Sequence, residues 1–447
     1  MGREVDNLSR QLFPGGTEVE GFNDEGWGNT QKTIRGTSKV LFQPTVVADL
    51  LTCRADILTK NSGNSWDINE VKMGTSIKED YVYDLAFQRI CFENAGIRIG
   101  RTNLIHINNQ YVRNGDVEPG KLFVSEDITN EVGAKISETK KLIPRALEVS
   151  NSNKVPDAEL LQSCPNPKTC DFLQYYCQGI PEVYSVIARL PAKHLLELIN
   201  REILDPKKIP AAVLKSIGYK ATPKFTKINA PAIRQELKAL QYPLHFFDYE
   251  TYSAAIPPFN GTRPYQNIPF QYSLIIKDGS KSVIRHTEFL AREFKNPVPA
   301  LLSQLKKDIG TKGSVIAWNA SFEKKRNEEM AKMEPAFSGF LKSVNDRIFD
   351  LMIIFQFKNQ LYIKSEFHKS ASLKTVLPVI CPELAYNDLA IQEGGEASAS
   401  WPTLTNNKIS EVEKEQLTND MLIYCKRDTE AMVCILDKVN KEIQTTI

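Results

Sequence analysis

From residue 39 to residue 72 the spacing of apolar residues reads as β-rich. Segments 40–42, 50–58 and 66–71 read as strands, with Asn61-Ser62-Gly63-Asn64 a turn between the last two. The period lengthens to 3.6 over about 78–96, where Val82, Leu85, Ala86, Ile90 and Phe92 recur as in a helix. A short strand at 104–107 and a helix at 138–148 follow. Residues 1–40 show little periodicity and are expected to be irregular. Residues 150–156 form a polar linker, and 180–236 read as a helical connector punctuated by prolines. Beyond it the pattern predicts strands at 244–249, 269–277, 283–289, 314–318 and 347–350. Helices are predicted at 297–308, 321–333 and 414–443. Strands alternating with helices after an opening run of strands suit an α/β layer.

The C-terminal pattern carries acids at telling places. Leu244-His245-Phe246-Phe247-Asp248-Tyr249-Glu250 is an apolar strand ending in Asp-x-Glu, and period two puts both carboxylates on one face. Val315 to Glu323 runs from a buried strand into a helix that opens near Glu323. Tyr424-Cys425-Lys426-Arg427-Asp428 lies in a helical stretch, where a spacing of four puts Tyr424 and Asp428 on one face. A lone Asp-x-Glu at a strand end is usually a solvated pair. Several acids gathered together repel one another unless cations neutralise them, so the set points to divalent ions. A pair of ions about 3.5–4 Å apart serves phosphodiester cleavage.

These motifs resemble the DEDD exonucleases of the DnaQ-like, ribonuclease H-like superfamily, in the subgroup whose third motif is Tyr-x-x-x-Asp; the likeness covers roughly residues 237–447. By that resemblance Asp248, Glu250, Glu323 and Asp428 hold Mg²⁺ or Mn²⁺, and Tyr424 orients the attacking water. The second motif of the family usually ends in Asp, whereas Glu323 is one methylene longer. Asp350 is the alternative acid, although it matches more closely a family Asp that caps a neighbouring strand.

A second constellation lies upstream. Asp56, on a strand before the turn, and Glu70 and Lys72, on the strand after it, would come together if those strands pair. Two carboxylates can hold Mg²⁺ or Mn²⁺ while the ammonium orients or deprotonates water. Asp84 and Gln88 share a face of the following helix. A bare Asp…Glu-x-Lys also occurs in surface hairpins. With the helix it resembles the PD-(D/E)xK nucleases, most closely the RecB-like, CRISPR-adaptation exonuclease branch, in which a helical Gln reaches the site. A Tyr follows that Gln in the branch, where Phe92 stands here, and the upstream acidic position of the branch falls on Gln43. The same resemblance gives a role to Cys164, Cys170 and Cys177 as the trailing ligands of a 4Fe–4S cluster. Its leading cysteine would lie ahead of residue 1, so the cluster is incomplete in this sequence unless Cys53 supplies the ligand. Zinc on these cysteines plus a histidine is the competing reading, but the histidines lie outside the segment.

Length and composition limit the rest. At 447 residues, 42% hydrophobic and 25% charged, the chain is long enough for more than one domain and has no apolar run of membrane-spanning length. A cytoplasmic setting is the default. The net charge of +2 means that nucleic-acid contact must come from local patches at Lys135–Lys141, Lys220–Lys227, Lys324-Lys325-Arg326 and Lys364–Lys374. Cys53, Cys91, Cys381, Cys425 and Cys434 read as reduced core thiols. The expected fold class is α/β. By the resemblances above, a PD-(D/E)xK restriction-endonuclease-like core is expected over 1–160, a cysteine-rich segment and helical connector over 161–236, and a ribonuclease H-like exonuclease domain over 237–447. The whole resembles an uncharacterised bacterial fusion family of such modules. The expected activity is 3′–5′ hydrolysis of single-stranded DNA, with RNA the alternative substrate and a non-catalytic nucleic-acid scaffold the alternative function.

Overall fold

A computed structural model describes residues 2–154 and 226–445 apart from 281, 368 and 407, together with 201, 203, 209 and 210. Most of the expected connector, with Cys164, Cys170 and Cys177, lies outside the described residues. The chain is mixed α/β. It divides into two compact units, one from 2–154 with 253–266 and the other from 226–252 with 267–445. Among the described residues no helix is long and apolar enough to cross a membrane.

The first unit holds a six-stranded sheet in the order β1 (Thr17–Glu18), β2 (Val40–Phe42), β5 (Ile57–Lys60), β6 (Trp66–Lys72), β7 (Ile99–Ile107), β8 (Phe123–Asp127). A separate ribbon pairs β3 (Thr45–Ala48) with β4 (Leu51–Arg54). The segment expected as one strand over 50–58 is therefore split. Gln43 has a left-handed φ of 55° and Pro44 offers no N–H, so the β2–β5 pair kinks there and continues as the ribbon. The expectation of an irregular start also fails. Helices α1 (Gly2–Ser9) and α2 (Asn23–Arg35) occupy it, the first burying only Val5 and Ser9. Helix α3 (Glu79–Asn94) lies close to its expected bounds. Helix α4 (Thr129–Asn151) and strand β7 each begin well before theirs. Leu85, Ala86 and Phe92 of α3 pack with Leu58, Ile68 and Leu104 of the sheet and with Val132 of α4. Burying a Leu or Phe side chain contributes roughly 1.5–3 kcal/mol each. This packing fixes the face of α3 that carries Asp84 and Gln88.

The second unit pairs β9 (Thr226–Ile228) with β15 (Tyr362–Lys364) in a small ribbon and is built on a five-stranded sheet ordered β12 (Ile284–Leu290), β11 (Ile268–Lys277), β10 (Leu244–Tyr252), β13 (Ser314–Ala317), β14 (Ile348–Asp350). The first three strands of the sheet are antiparallel, and β13 and β14 run parallel to β10. All strands of this sheet fall where the sequence pattern predicts them. The chain leaves β10 toward one edge and returns to build the other, so the C-terminal end of β10 is a switch point, where open α/β sheets form crevices. The helices of this unit include α5 (Val298–Asp308), α6 (Ser321–Met333), α7 (Leu373–Ile380), α8 (Gly394–Leu404) and α9 (Glu411–Thr445). Cys381 and Cys434 form a disulfide, correcting the expectation of free thiols and tying the end of α7 to α9. Cys53, Cys91 and Cys425 are free.

Candidate functional site

Asp248 and Glu250 project from the same face of β10 at the switch point. Their partners across the antiparallel pair are Ser273 and Gln271. These two residues dock α9 onto the same face. The Gln271 amide donates to the Met421 carbonyl at 2.8 Å, and Ser273 Oγ lies 2.8 Å from Thr429 Oγ1. The two contacts bracket Tyr424 and Asp428, which therefore face the β10 carboxylates. Between them the Cys425 Sγ stands 3.8 Å from an Asp248 oxygen. On the other face of β10 the Tyr249 hydroxyl donates to Asn327 of α6 at 2.9 Å, and Asn327 donates to Asn345 at 2.7 Å. Those bonds seat the helix whose first turn carries Glu323, 2% exposed.

Electrostatics link the group. Burial, then the like charges of Asp428, Glu250 and Glu323, hold the Asp248 carboxyl well above the ordinary carboxylate range. Burial and Asp428 do the same to Glu250, with Lys374 opposing. Burial pushes Glu323 up to about 8. Asp428 is raised less, to about 6, because burial is countered by the Tyr386 hydrogen bond and by Lys374 and Arg427. Burial, then Asp428, Glu250 and Asp248, raise the Tyr424 phenol, which stays protonated. Asp248 and Asp428 still present an edge to solvent. Glu323 Oε2 is buried with no hydrogen-bond partner, a condition that costs about 1–3 kcal/mol or more for a charged oxygen. Ligand atoms of Asp248, Glu250 and Cys425 lie within 4.8 Å of one another. Burial keeps the Cys425 thiol protonated, leaving a set of hard oxygens that suits Mg²⁺ or Mn²⁺.

Asp350 has a different job. One of its oxygens accepts from the Asn319 amide at 3.1 Å and the Met352 amide at 3.0 Å, capping the turn that follows β14. Asp350→Ala should therefore cost about 0.5–2 kcal/mol of stability, as for other lost caps. Glu323→Gln should instead leave stability intact or improved and remove divalent-ion binding. Thermal melts and Mn²⁺ titration of the two variants check this; equal loss of binding with no loss of stability in Asp350→Ala would reverse the assignment.

The first unit gathers its own acids. The register Ile57↔Asn69 carries one step back to set Asp56 opposite Glu70. Asp56 accepts from the Val71 amide at 2.8 Å and from Gln43 at 3.1 Å. Lys72 Nζ bridges Glu70 at 2.7 Å and Asp84 at 2.6 Å. Gln88, 3% exposed, donates to Glu70 at 2.9 Å and Asp84 at 3.2 Å, while its own carbonyl oxygen has no partner. Burial, then Asp56, push Glu70 up to about 7. Burial lowers the Lys72 ammonium, but Glu70 and Asp84 outweigh it and hold it above its ordinary range. Phe92 is buried in the core. Cys53, on β4, turns toward α3, with its Sγ 4.0 Å from the backbone carbonyl oxygen of Gln88.

Several residues here escape the sequence motifs. Asp6 of α1, ion-paired to Arg10 at 2.9 Å, accepts from Gln43 at 3.3 Å; burial, then its like charge, raise Asp56, and the second Asp6 oxygen is buried and unpartnered. The upstream position at Gln43 is thus joined by a carboxylate from the supposedly irregular N-terminus. Tyr386 donates to Asp428, and a side chain at Gly394 would stand 3.8 Å from both Glu250 Oε2 and the Tyr424 hydroxyl. No periodicity marked either segment. Conversely, Arg326 in the basic run is 3% exposed and paired with Glu329, so it offers no open surface.

A family described as "Domain of unknown function (DUF2779)" matches residues 245–372. An uncharacterized protein of Mycoplasma genitalium is 28% identical over 210 residues, 43% of this chain and 31% of that protein. An uncharacterized protein of Ureaplasma parvum is 28% identical over 209 residues, 42% of this chain and 30% of that protein. The chain thus spans less than a third of the length of these curated relatives. No solved structure matches it.

Proposed function

We propose that this chain is a metal-dependent nuclease of the bacterial fusion type suggested by its motifs. In this reading the second unit is a ribonuclease H-like exonuclease that trims single-stranded DNA from the 3′ end, and the first carries a PD-(D/E)xK nuclease-like site. The observation that carries the reading is the set of buried, mutually repelling carboxylates at the end of β10, with an orphaned oxygen on Glu323. The antiparallel run β12-β11-β10 flanked by parallel β13 and β14 supports the fold assignment.

Asp248, Glu250, Glu323 and Asp428 would hold the ions. A pair of Mg²⁺ or Mn²⁺ ions activates water and stabilises the leaving oxygen in phosphodiester hydrolysis. Tyr424, kept protonated, orients the attacking water through its phenol. Lys374 offsets part of the negative charge around Glu250 and Asp428. In the first unit Asp56 and Glu70 would hold an ion, with Asp6 beside them. Lys72 stays an ammonium that orients water or faces phosphate, and Gln88 fixes Glu70. The cysteine segment lies outside the described residues, and no step here depends on it.

The test is to incubate full-length protein with 5′-labelled single strands of matched DNA and RNA, with Mn²⁺ or with EDTA. A metal-dependent ladder shortening from the 3′ end of DNA is expected. A shifted but unshortened strand would instead mark a binding scaffold, and faster loss of RNA would reassign the substrate.

A further inference from the structure

The geometry points to a residue outside the acidic motifs: we propose that Tyr386 is a positioning residue that fixes the carboxylate of Asp428 for ion binding. The inference rests on the metal-site reading above. Tyr386 is 7% exposed, its O–H donates to Asp428 Oδ1, and its ring lies 6.1 Å from that of Tyr424. No described residue bonds the other Asp428 oxygen in the same way, so one oxygen is held and the other is left available.

The backbone around Tyr386 is pinned to the helix that carries Asp428. Arg427 donates to the Ala385 carbonyl at 2.5 Å and grips Asp388 with nitrogens at 3.1 and 3.2 Å. Lys438 donates to the Ile380 carbonyl at 2.9 Å and to Glu383 at 2.7 Å. The Cys381–Cys434 disulfide closes the same junction. Lys374 lies 5.7 Å from the centre of the Tyr386 ring. A buried phenol needs an acceptor, and any carbonyl would satisfy it. This one is aimed at a carboxylate already crowded by others, through a segment held from both sides of Tyr386. Partners that orient a ligating carboxylate matter to metal affinity by about 10–100-fold.

The test is calorimetric titration of Mn²⁺ into full-length protein in an Asp56→Asn, Glu70→Gln background, which silences the first unit. Tyr386→Phe should weaken Mn²⁺ binding on the order of 10-fold with Tm unchanged. Arg427→Met, which keeps the phenol but releases Ala385 and Asp388, should weaken it less, and it stands in if Tyr386→Phe does not fold. Wild-type affinity in Tyr386→Phe, whether or not Tm falls, would overturn the proposal while leaving the metal site standing. No Mn²⁺ binding by the background protein would overturn the metal-site reading, and this proposal with it.

Discussion

Asp248→Ala is expected to lower metal-dependent 3′ trimming by roughly 10³-fold or more while Tm holds or rises. Ions in such sites contribute several kcal/mol to the transition state, and each 1.36 kcal/mol is tenfold in rate. Asp248 stands at the centre of the cluster, sensing Asp428, Glu250 and Glu323, so no neighbour can replace it without moving. The stability half of the expectation separates function from packing. Most substitutions at well-ordered sites destabilise, by about 1 kcal/mol on average. Here the lost group is a carboxylate that burial and like charges already oppose, so its removal relieves the metal-free fold. Timed 3′-end trimming by the full chain, beside a thermal melt in EDTA, decides it. Wild-type trimming would sink the active-site assignment, and a cooperative loss of several degrees would show that Asp248 is structural.

The metal-free protein should also lose stability as pH rises, against the usual behaviour of ion-paired carboxylates. Glu323 moves from an ordinary 4.5 up to about 8, Glu70 from 4.5 to about 7 and Asp428 from 3.8 to about 6, while Asp248 and Glu250 rise as well. A carboxyl raised in the fold binds its proton more tightly there than in the unfolded chain. Its stabilising effect is therefore complete below the unfolded pKa, near 4, and is lost as pH climbs through the folded values, between about 6 and 8. In EDTA, Tm should fall by on the order of 5 °C between pH 5 and pH 8. Mn²⁺ competes with protons for the same oxygens, so it should raise Tm much more at pH 8 than at pH 5. Asp248→Asn should flatten the EDTA profile. A level profile in the wild type, or an equal Mn²⁺ shift at both pH values, would refute the coupling.

The legible parts of this chain are those where one residue pattern carries both burial and chemistry. Phe246-Phe247 before Asp248 announces a central strand, and the same period places Glu250 on the face of Asp248. Tyr424 and Asp428 were legible because a helix turns four residues into one face. Asp6 was not, since α1 buries little more than Val5 and leaves no apolar stripe to read. Tyr386 was not, because it reaches Asp428 from an irregular stretch beyond Pro382, where no period constrains direction. The Cys381–Cys434 link joins positions 53 apart without a spacing signature. The 50–58 segment looked continuous because a kink at Gln43-Pro44 lies in its partner strand, not in itself.

The stretch 253–266 has a practical bearing on dissecting this protein. It leaves β10 just after Glu250 and re-enters the sheet at β11, yet it is counted with the first unit. There Ala255 and Ile256 pack among Val5, Ile105, Tyr111 and Phe123, Arg113 donates to the Pro257 and Pro258 carbonyls, and Tyr265 donates to the carbonyl of Met73, next to Lys72. A fragment beginning near residue 226 would carry this stretch stripped of its covering, with Ala255 and Ile256 bare. A fragment ending near 154 would expose the seat it left. Neither half is a portable cassette, and inactivity of an isolated half would report the severed loop before it reported the chemistry.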